Sequence, residues 1–440
     1  MKHLLTCLYA GAFVLATLTA ASCGTDTASI PPASEGGTVP PGGGHEAGPG
    51  DDGGDSGACT GLSCNVPKCA DGSEKTTLTG KVFAPNGKLA LPNVNVYVPN
   101  KALDPIPAGA ACCVAPSGAP IVSAVSDATG TFTLVDPPAG KNVPLVVQVG
   151  KWRRQVTVPE IKACQKNDLD ADLGRLPKKQ SEGDMPRIAL TTGGCDSLGC
   201  MLPKVGVDTS EIGVPADGAA KAVHIYKGNG GQGPATAPSA STLWSDAKVM
   251  KDYDLLLLSC ECFESLDNKG GSATAAPFGE MTTYLSGGGR VLTTDFQYTW
   301  YKNTTDPSLK TALTIPGGAP PGGQPLSVDT SFARGKNLSD WLMSVAPGPL
   351  TADAIYSNVS SLDPVRVQQW VTSPSPQGPR VFTVDMPFGA ACGRALHIDA
   401  HVNNTDSVDA TFPNGGGCST TLRPAEDLLA YFFFSLAECP

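Results

Sequence analysis

Basic clusters are scarce in this 440-residue chain: 31 Lys and Arg stand against 41 Asp and Glu, a formal net charge of −10. Neutralising nucleic-acid phosphates takes clustered cations. The only short basic groups are Lys151-Trp152-Arg153-Arg154 and Lys178-Lys179, which a strand end and a linker accommodate, so no nucleic-acid partner is expected. Long apolar runs are missing too: after Leu18 none approaches the roughly 20 residues a spanning helix needs. There is no Walker loop, no HExxH and no GxSxG. Gly228-Asn229-Gly230-Gly231-Gln232-Gly233 matches GxGxxG after a strand. A dinucleotide fingerprint needs a helix to open at once, which Pro234 and Pro238 prevent, leaving a loop. What is abundant is Gly and Pro, 51 and 39 residues, so long connections are expected between two or three domains.

The N-terminus points to export. Lys2 and His3 precede an apolar run from Leu4 to Leu18, and small residues follow, the pattern of a signal segment over residues 1–22. Ala20-Ala21-Ser22-Cys23 resembles the lipobox of bacterial lipoproteins, in which the Cys becomes the lipidated first residue; Ala20 stands where Leu is more usual. Gly24 in place of the aspartate that retains such proteins at an inner membrane implies, by the same resemblance, an outer-membrane or cell-surface destination. Membrane contact is then through the lipid anchor alone.

Thirteen cysteines remain once Cys7 leaves with the signal and Cys23 is reserved for lipid: Cys59, Cys64, Cys69, Cys112, Cys113, Cys164, Cys195, Cys200, Cys260, Cys262, Cys392, Cys418 and Cys439. In an exported chain these read as disulfides before metal ligands. If the two cysteine-bearing domains do not cross-link, one thiol of the second is left over. Joining neighbours strains the intervening peptide, so Cys112 and Cys113 are expected to take different partners, from among Cys59, Cys64, Cys69 and Cys164.

Residues 24–58 are almost wholly Gly, Pro, Ser, Thr, Ala and acids, too apolar-poor to offset chain entropy. With the lipid site they make a disordered tether, assigned to 23–75, whose flexible part spans about 30–35 Å. Over 76–160 short strands alternate: Val94, Val96 and Val98 one way, Asn95 and Tyr97 the other; Phe132 and Leu134, then Leu145, Val147 and Val149, repeat the scheme. Turn clusters at Pro85-Asn86-Gly87 and Asp127-Ala128-Thr129-Gly130 separate them, predicting a small antiparallel β-sandwich. Thr79-Gly80-Lys81-Val82, Leu91-Pro92-Asn93-Val94-Asn95-Val96 and Ser126 to Phe132 resemble the carboxypeptidase regulatory-like, transthyretin-like family. That resemblance implies a non-catalytic support or contact module. An insertion from Pro99 to Pro120, carrying Cys112 and Cys113, reads as a stapled surface loop.

Residues 161–186 read as a polar linker. Asp168-Leu169-Asp170-Ala171-Asp172-Leu173-Gly174 has oxygens at alternate positions, but Gly falls at position 7 and Lys179 at position 12, against a calcium loop.

From 187 to 440 the pattern is α/β. Leu255 to Leu258 is apolar on consecutive positions, as in a strand buried on both faces of a parallel sheet; Phe278 to Leu285 has helical spacing, Gly287 to Gly289 stop it, and Arg290 to Phe296 supplies another strand. Arg187 to Thr192, Ala222 to Tyr226 and Arg394 to Val402 are further strands, and Leu428 to Leu436 a closing helix. Strands separated by helical stretches, a GGG-led central strand and a late strand ending at His resemble the class I glutamine amidotransferase-like group, which includes trehalose-utilisation-like proteins. The resemblance implies a flavodoxin-like, mostly parallel sheet.

Catalytic amidotransferases carry a Cys nucleophile on the turn after a central strand; here that strand runs into Thr294-Asp295-Phe296-Gln297. Without a Cys there, glutaminase chemistry is not expected. Cys260 and Cys262 end the preceding strand on one face, as a disulfide or buried thiols. In His397-Ile398-Asp399-Ala400-His401, positions i, i+2 and i+4 of a strand share a face, so His397, Asp399 and His401 would line up over about 13 Å. Imidazoles and a carboxylate suit zinc or iron, although i and i+4 are too far apart to share one ion. Sites in open α/β sheets lie at strand carboxyl ends, which singles out Asp295, His401 and Cys260 as catalytic candidates. The expected function is a non-enzymatic surface lipoprotein binding a protein or carbohydrate partner, without a cofactor; the alternative is a metal-dependent hydrolase acting through these His and Asp groups.

Overall fold

The computed structural model describes residues 59–318, 321–415 and 417–440. The stretch read as a signal segment, Cys23, and the part of the expected tether up to residue 58 lie outside the described residues. No helix among the described residues is long and apolar enough to cross a membrane.

Residues 59–75, assigned to the tether, are anchored: Cys59 pairs with Cys64 around the short turn Gly61–Asn65, and Cys69 pairs with Cys164. Seven strands follow: β1 (Thr77–Lys81), β2 (Asn95–Pro99), β3 (Pro120–Val125), β4 (Thr131–Val135), β5 (Gly140–Val149), β6 (Trp152–Ile161) and β7 (Lys166–Asp168). They form a four-stranded antiparallel sheet, β3-β2-β5-β6, and a three-stranded one, β4-β1-β7, in which β7 runs parallel to β1. The segment read as a linker therefore contributes a strand. Val96, Val98, Leu145 and Val147 of one sheet share an apolar core with Leu78, Phe132 and Leu134 of the other, as the alternation requires.

Tyr97, expected on the outer face, is fully buried as well. The insertion 100–119 folds back over it: Tyr97 Oη donates to Gln148 Oε1 (2.9 Å), and Ser117 N donates to Tyr97 Oη (3.4 Å). Instead of standing free, the insertion straps the small sheets to the rest of the chain. Lys151 Nζ reaches Pro107 O (2.7 Å), Gly109 O and Asp254 Oδ1.

Thirteen more strands follow: β8 (Ile188–Thr192), β9 (Ile212–Gly213), β10 (Val223–Lys227), β11 (Leu255–Leu258), β12 (Arg290–Thr294), β13 (Leu313–Thr314), β14 (Ser327–Val328), β15 (Ala354–Ile355), β16 (Ser361–Leu362), β17 (Gln368–Pro374), β18 (Gln377–Met386), β19 (Gly393–Ile398) and β20 (Ala400–His401). Nine make one mixed sheet, β14-β17-β18-β19-β12-β11-β8-β10-β9. From β9 to β19 every neighbouring pair is parallel; β18, β17 and β14 add an antiparallel edge. All four leucines of β11 are buried, as both-face coverage of a parallel strand demands. The helix Ala276–Ser286 between β11 and β12 sets Phe278, Met281, Tyr284 and Leu285 into the core.

The small sheets and the nine-stranded sheet share one apolar cluster. The C-terminal helix Pro424–Ser435 places Phe433 and Phe434 against Trp152, ring centroids 6.0 and 5.8 Å apart, and Trp341 Nε1 donates to Ala90 O (2.7 Å). Covalent links cross the same seam. Cys112 pairs with Cys392 and Cys113 with Cys439, which corrects the expectation that their partners lie among Cys59, Cys64, Cys69 and Cys164. The cause is the strap, which carries Cys112 to the start of β19 and Cys113 to the residues after the last helix. Arg290 ties the junction, donating to Gly288 O (2.8 Å), Cys112 O (2.8 Å), Cys392 O (2.7 Å) and Leu436 O (2.9 Å). Cys195–Cys262 and Cys200–Cys418 complete six disulfides, leaving Cys260 as the free thiol among the described residues.

Candidate functional site at the carboxyl edge of the sheet

Because β19, β12, β11 and β8 are adjacent and parallel, the residues just past them gather along one edge, where open α/β sheets place ligands. Cys260 follows β11, Asp295 follows β12, His401 lies in β20 just beyond β19, and Asp196 follows β8. Cys260, Asp295 and Asp196 are buried, and His401 nearly so.

Asp295 is the centre of the group. It opens the turn Asp295–Tyr298 with φ at 41°, in the left-handed region a non-glycine residue adopts at a cost. The turn aims its carboxylate at the neighbouring strand ends. Oδ2 accepts from Cys260 Sγ (3.3 Å) and is hydrogen-bonded to His401 Nε2 (2.8 Å); Oδ1 accepts from Asn358 Nδ2 (2.9 Å). Thiol sulfur, carboxylate oxygen and imidazole nitrogen lie within 4.8 Å of one another.

Burial pushes the Cys260 thiol well above its ordinary range, and the Asp295 charge adds to the effect against the opposing amides of Phe296 and Cys262. A thiol held so is not an activated nucleophile. For His401, burial disfavours the charged ring, but the hydrogen bond to Asp295 and the charges of Asp295, Asp196 and Asp353 outweigh it and raise its pKa. The Tyr356 ring covers it at 5.1 Å. Asp196 is pushed up to about 7 by burial, against the His401 charge and the amides of Asn403 and Val402 that donate to it at 2.9 and 3.2 Å.

The row His397, Asp399, His401 does not share one face, because the strand breaks at Asp399: β19 ends at Ile398, and Ala400–His401 pairs instead with β15. His397 turns into an aromatic setting beside Tyr301 and Phe382, with Nδ1 3.0 Å from Thr293 Oγ1. Its Nε2 is buried without a hydrogen-bond partner among the described residues, 3.8 Å from Asp399 Oδ1. Asp399 is engaged by Asn358 Nδ2 (2.8 Å) and Val359 N (3.2 Å). Asn358 thus bridges Asp295 and Asp399, but only His401 of the row joins Cys260 and Asp295. Cys262, predicted to project with Cys260, turns away at φ 68° into its disulfide with Cys195, so the pair splits into one bridged and one free sulfur.

Asp196, Asn358 and Tyr356 were not foreseen. Asp196 follows Gly193-Gly194-Cys195 at the end of the first parallel strand, so the strand-end rule extended to β8 would have found it. Asn358 and Tyr356 lie in a stretch with no periodic signal. A cavity of about 380 Å³ lined by Arg187, Lys221, Lys251 and Asp252 lies elsewhere, at the amino ends of β8, β10 and β11.

No family model and no curated protein matches the chain. Solved structures are similar over parts of it. A ThuA-like protein from Bacteroides uniformis is 13% identical over 57% of this chain and 91% of that one, with a TM-score of 0.30. A cytoplasmic protein from Salmonella typhimurium is 10% identical over 56% and 97%, TM-score 0.29. A type II cohesin–X-dockerin complex from Acetivibrio cellulolyticus is 15% identical over 30% and 85%, TM-score 0.18. Likenesses this low assign no residue of this chain.

Proposed function

We propose that the chain is a non-enzymatic lipoprotein of the outer membrane or cell surface, lipidated at Cys23, that binds a protein or carbohydrate partner at the envelope. On this reading 76–160 is a carboxypeptidase regulatory-like module, and 187–440 is an amidotransferase-like, flavodoxin-like domain. Counted from β8, the order β10-β8-β11-β12-β19 is 2-1-3-4-5, the doubly wound order, which supports the second assignment. The observation that carries the non-catalytic reading is at the turn after β12. Where the resemblance places a nucleophilic Cys there is Asp295, with both carboxylate oxygens engaged. The nearest thiol, Cys260, is buried and donates to that carboxylate.

The test is a panel of amides, esters and glycosides offered to the purified exported chain. The reading predicts turnover at the uncatalysed background; hydrolysis abolished by Asp295→Ala or His401→Ala would overturn it. The competing reading is a metal-dependent hydrolase, favoured by the closeness of Cys260, Asp295 and His401.

A further inference from the structure

We infer that Cys260 Sγ, Asp295 Oδ2 and His401 Nε2 form a binding site for one zinc-class divalent cation, whether or not the protein turns over a substrate. The three groups come from the ends of three adjacent strands or their direct continuations, so the sheet sets their spacing.

The distances suit that ion. Tetrahedral zinc with a sulfur at about 2.3 Å and nitrogen or oxygen at about 2.0–2.1 Å separates its ligand atoms by roughly 3.2–3.6 Å. Thiol and carboxylate stand 3.3 Å apart, about 0.2 Å short of the sulfur–oxygen separation, and all three ligand atoms lie within 4.8 Å of one another. Imidazole and carboxylate stand 2.8 Å apart, so a rotation opening the pair by roughly half an ångström seats the cation. A thiolate beside an imidazole selects zinc or cobalt over magnesium or calcium.

Asn358 holds the other carboxylate oxygen through Nδ2 at 2.9 Å, directing Oδ2 at the site as an orienting partner does in metal centres. Binding exchanges a proton for metal: the thiol proton leaves to water, and thiolate, carboxylate and the neutral imidazole, bound through Nε2 with its ring proton on Nδ1, hold the ion. Two negative ligands cancel its charge, which a buried site needs. Three protein ligands leave the fourth position to water.

Cysteine usage is an independent pointer. The other twelve cysteines among the described residues are all in disulfides. Among the described residues Cys260 alone stays reduced, two residues from Cys262, which took Cys195 as its partner. Metal ligation gives that thiol a use which burial alone does not.

The test uses the mature protein purified without a tag, loaded with zinc or with cobalt(II), desalted and measured for metal. The site predicts about one equivalent of zinc and, with cobalt, a near-ultraviolet thiolate-to-metal charge-transfer band. Cys260→Ser removes the band, His401→Gln lowers the metal retained by about tenfold or more, and His397→Gln changes neither. Circular dichroism checks that each variant folds; if Cys260→Ser does not, the wild-type cobalt spectrum decides. Wild-type content below about a tenth of an equivalent, cobalt bound without the thiolate band, or metal lost in His397→Gln and kept in Cys260→Ser would each overturn the site. The hydrolysis panel stands apart from these readouts, so metal without turnover leaves the proposed function intact and turnover without metal leaves this site refuted.

Discussion

His401 Nε2 lies 2.8 Å from Asp295 Oδ2, on a residue whose φ is 41°. The turn after β12 buries this carboxylate and ties it to an imidazole, a thiol and an amide. Removing that carboxylate leaves buried groups without partners. Asp295→Ala is expected to cost about 2–4 kcal/mol in denaturant unfolding. Asp295→Gly loses the same bonds but fits the left-handed backbone, so it is expected to be about 1 kcal/mol less destabilised than the alanine variant. Equal stability of wild type and Asp295→Ala would contradict the network.

Peptide mapping without reduction is expected to find Cys112 linked to Cys392 and Cys113 to Cys439. Opening either link by paired Ser substitutions should lower stability by about 2–5 kcal/mol. Links from Cys112 or Cys113 to Cys59, Cys64, Cys69 or Cys164 would refute the strap.

Lys204 Nζ is buried between Glu426, 2.7 Å from both carboxylate oxygens, and Asp406 at 2.7 Å. Lys204→Met takes the ammonium away from two buried carboxylates and is expected to cost about 3–5 kcal/mol. A loss under about 1 kcal/mol would mean the group is hydrated and weak.

Two carboxylates give opposite slopes of stability with pH. Burial works against ionised Asp406, but hydrogen bonds from Lys204 and Asn403 hold it at about 2; its contribution is present above the ordinary value of 3.8 and is lost as pH falls through about 2. Asp427 is pushed up to about 7 by burial, with the Glu426 charge adding. Folded Asp427 keeps its proton where the unfolded chain has lost it, so stability falls as pH rises from about 4 to about 7. Thermal unfolding across that window should show the decline, and Asp427→Asn should make it shallower; an unchanged slope would count against the assignment.

The sequence made the central strands legible because burial on both faces writes itself as unbroken apolar runs, as in Leu255–Leu258, and Gly287 to Gly289 punctuate the helix before Arg290. The antiparallel edge β17–β18 escaped: Pro374, Ser375 and Pro376 interrupt the strand pattern at the tight connection, where the pairing is set by tertiary context. Strand-end reasoning reached Cys260, Asp295 and His401, since position on a parallel strand fixes which edge a residue occupies. It misplaced His397 because alternation holds only while a strand stays straight, and this one breaks at Asp399. Disulfide partners were not legible, since spacing says nothing of where a strap folds.

The most direct measurement is alkylation of the native, unreduced protein followed by peptide mapping at Cys260, repeated in denaturant. A sealed thiol donating to Asp295 predicts below about a tenth modification in the native state and near-complete modification once unfolded. Rapid native labelling would show an accessible, activated cysteine and contradict the non-catalytic account.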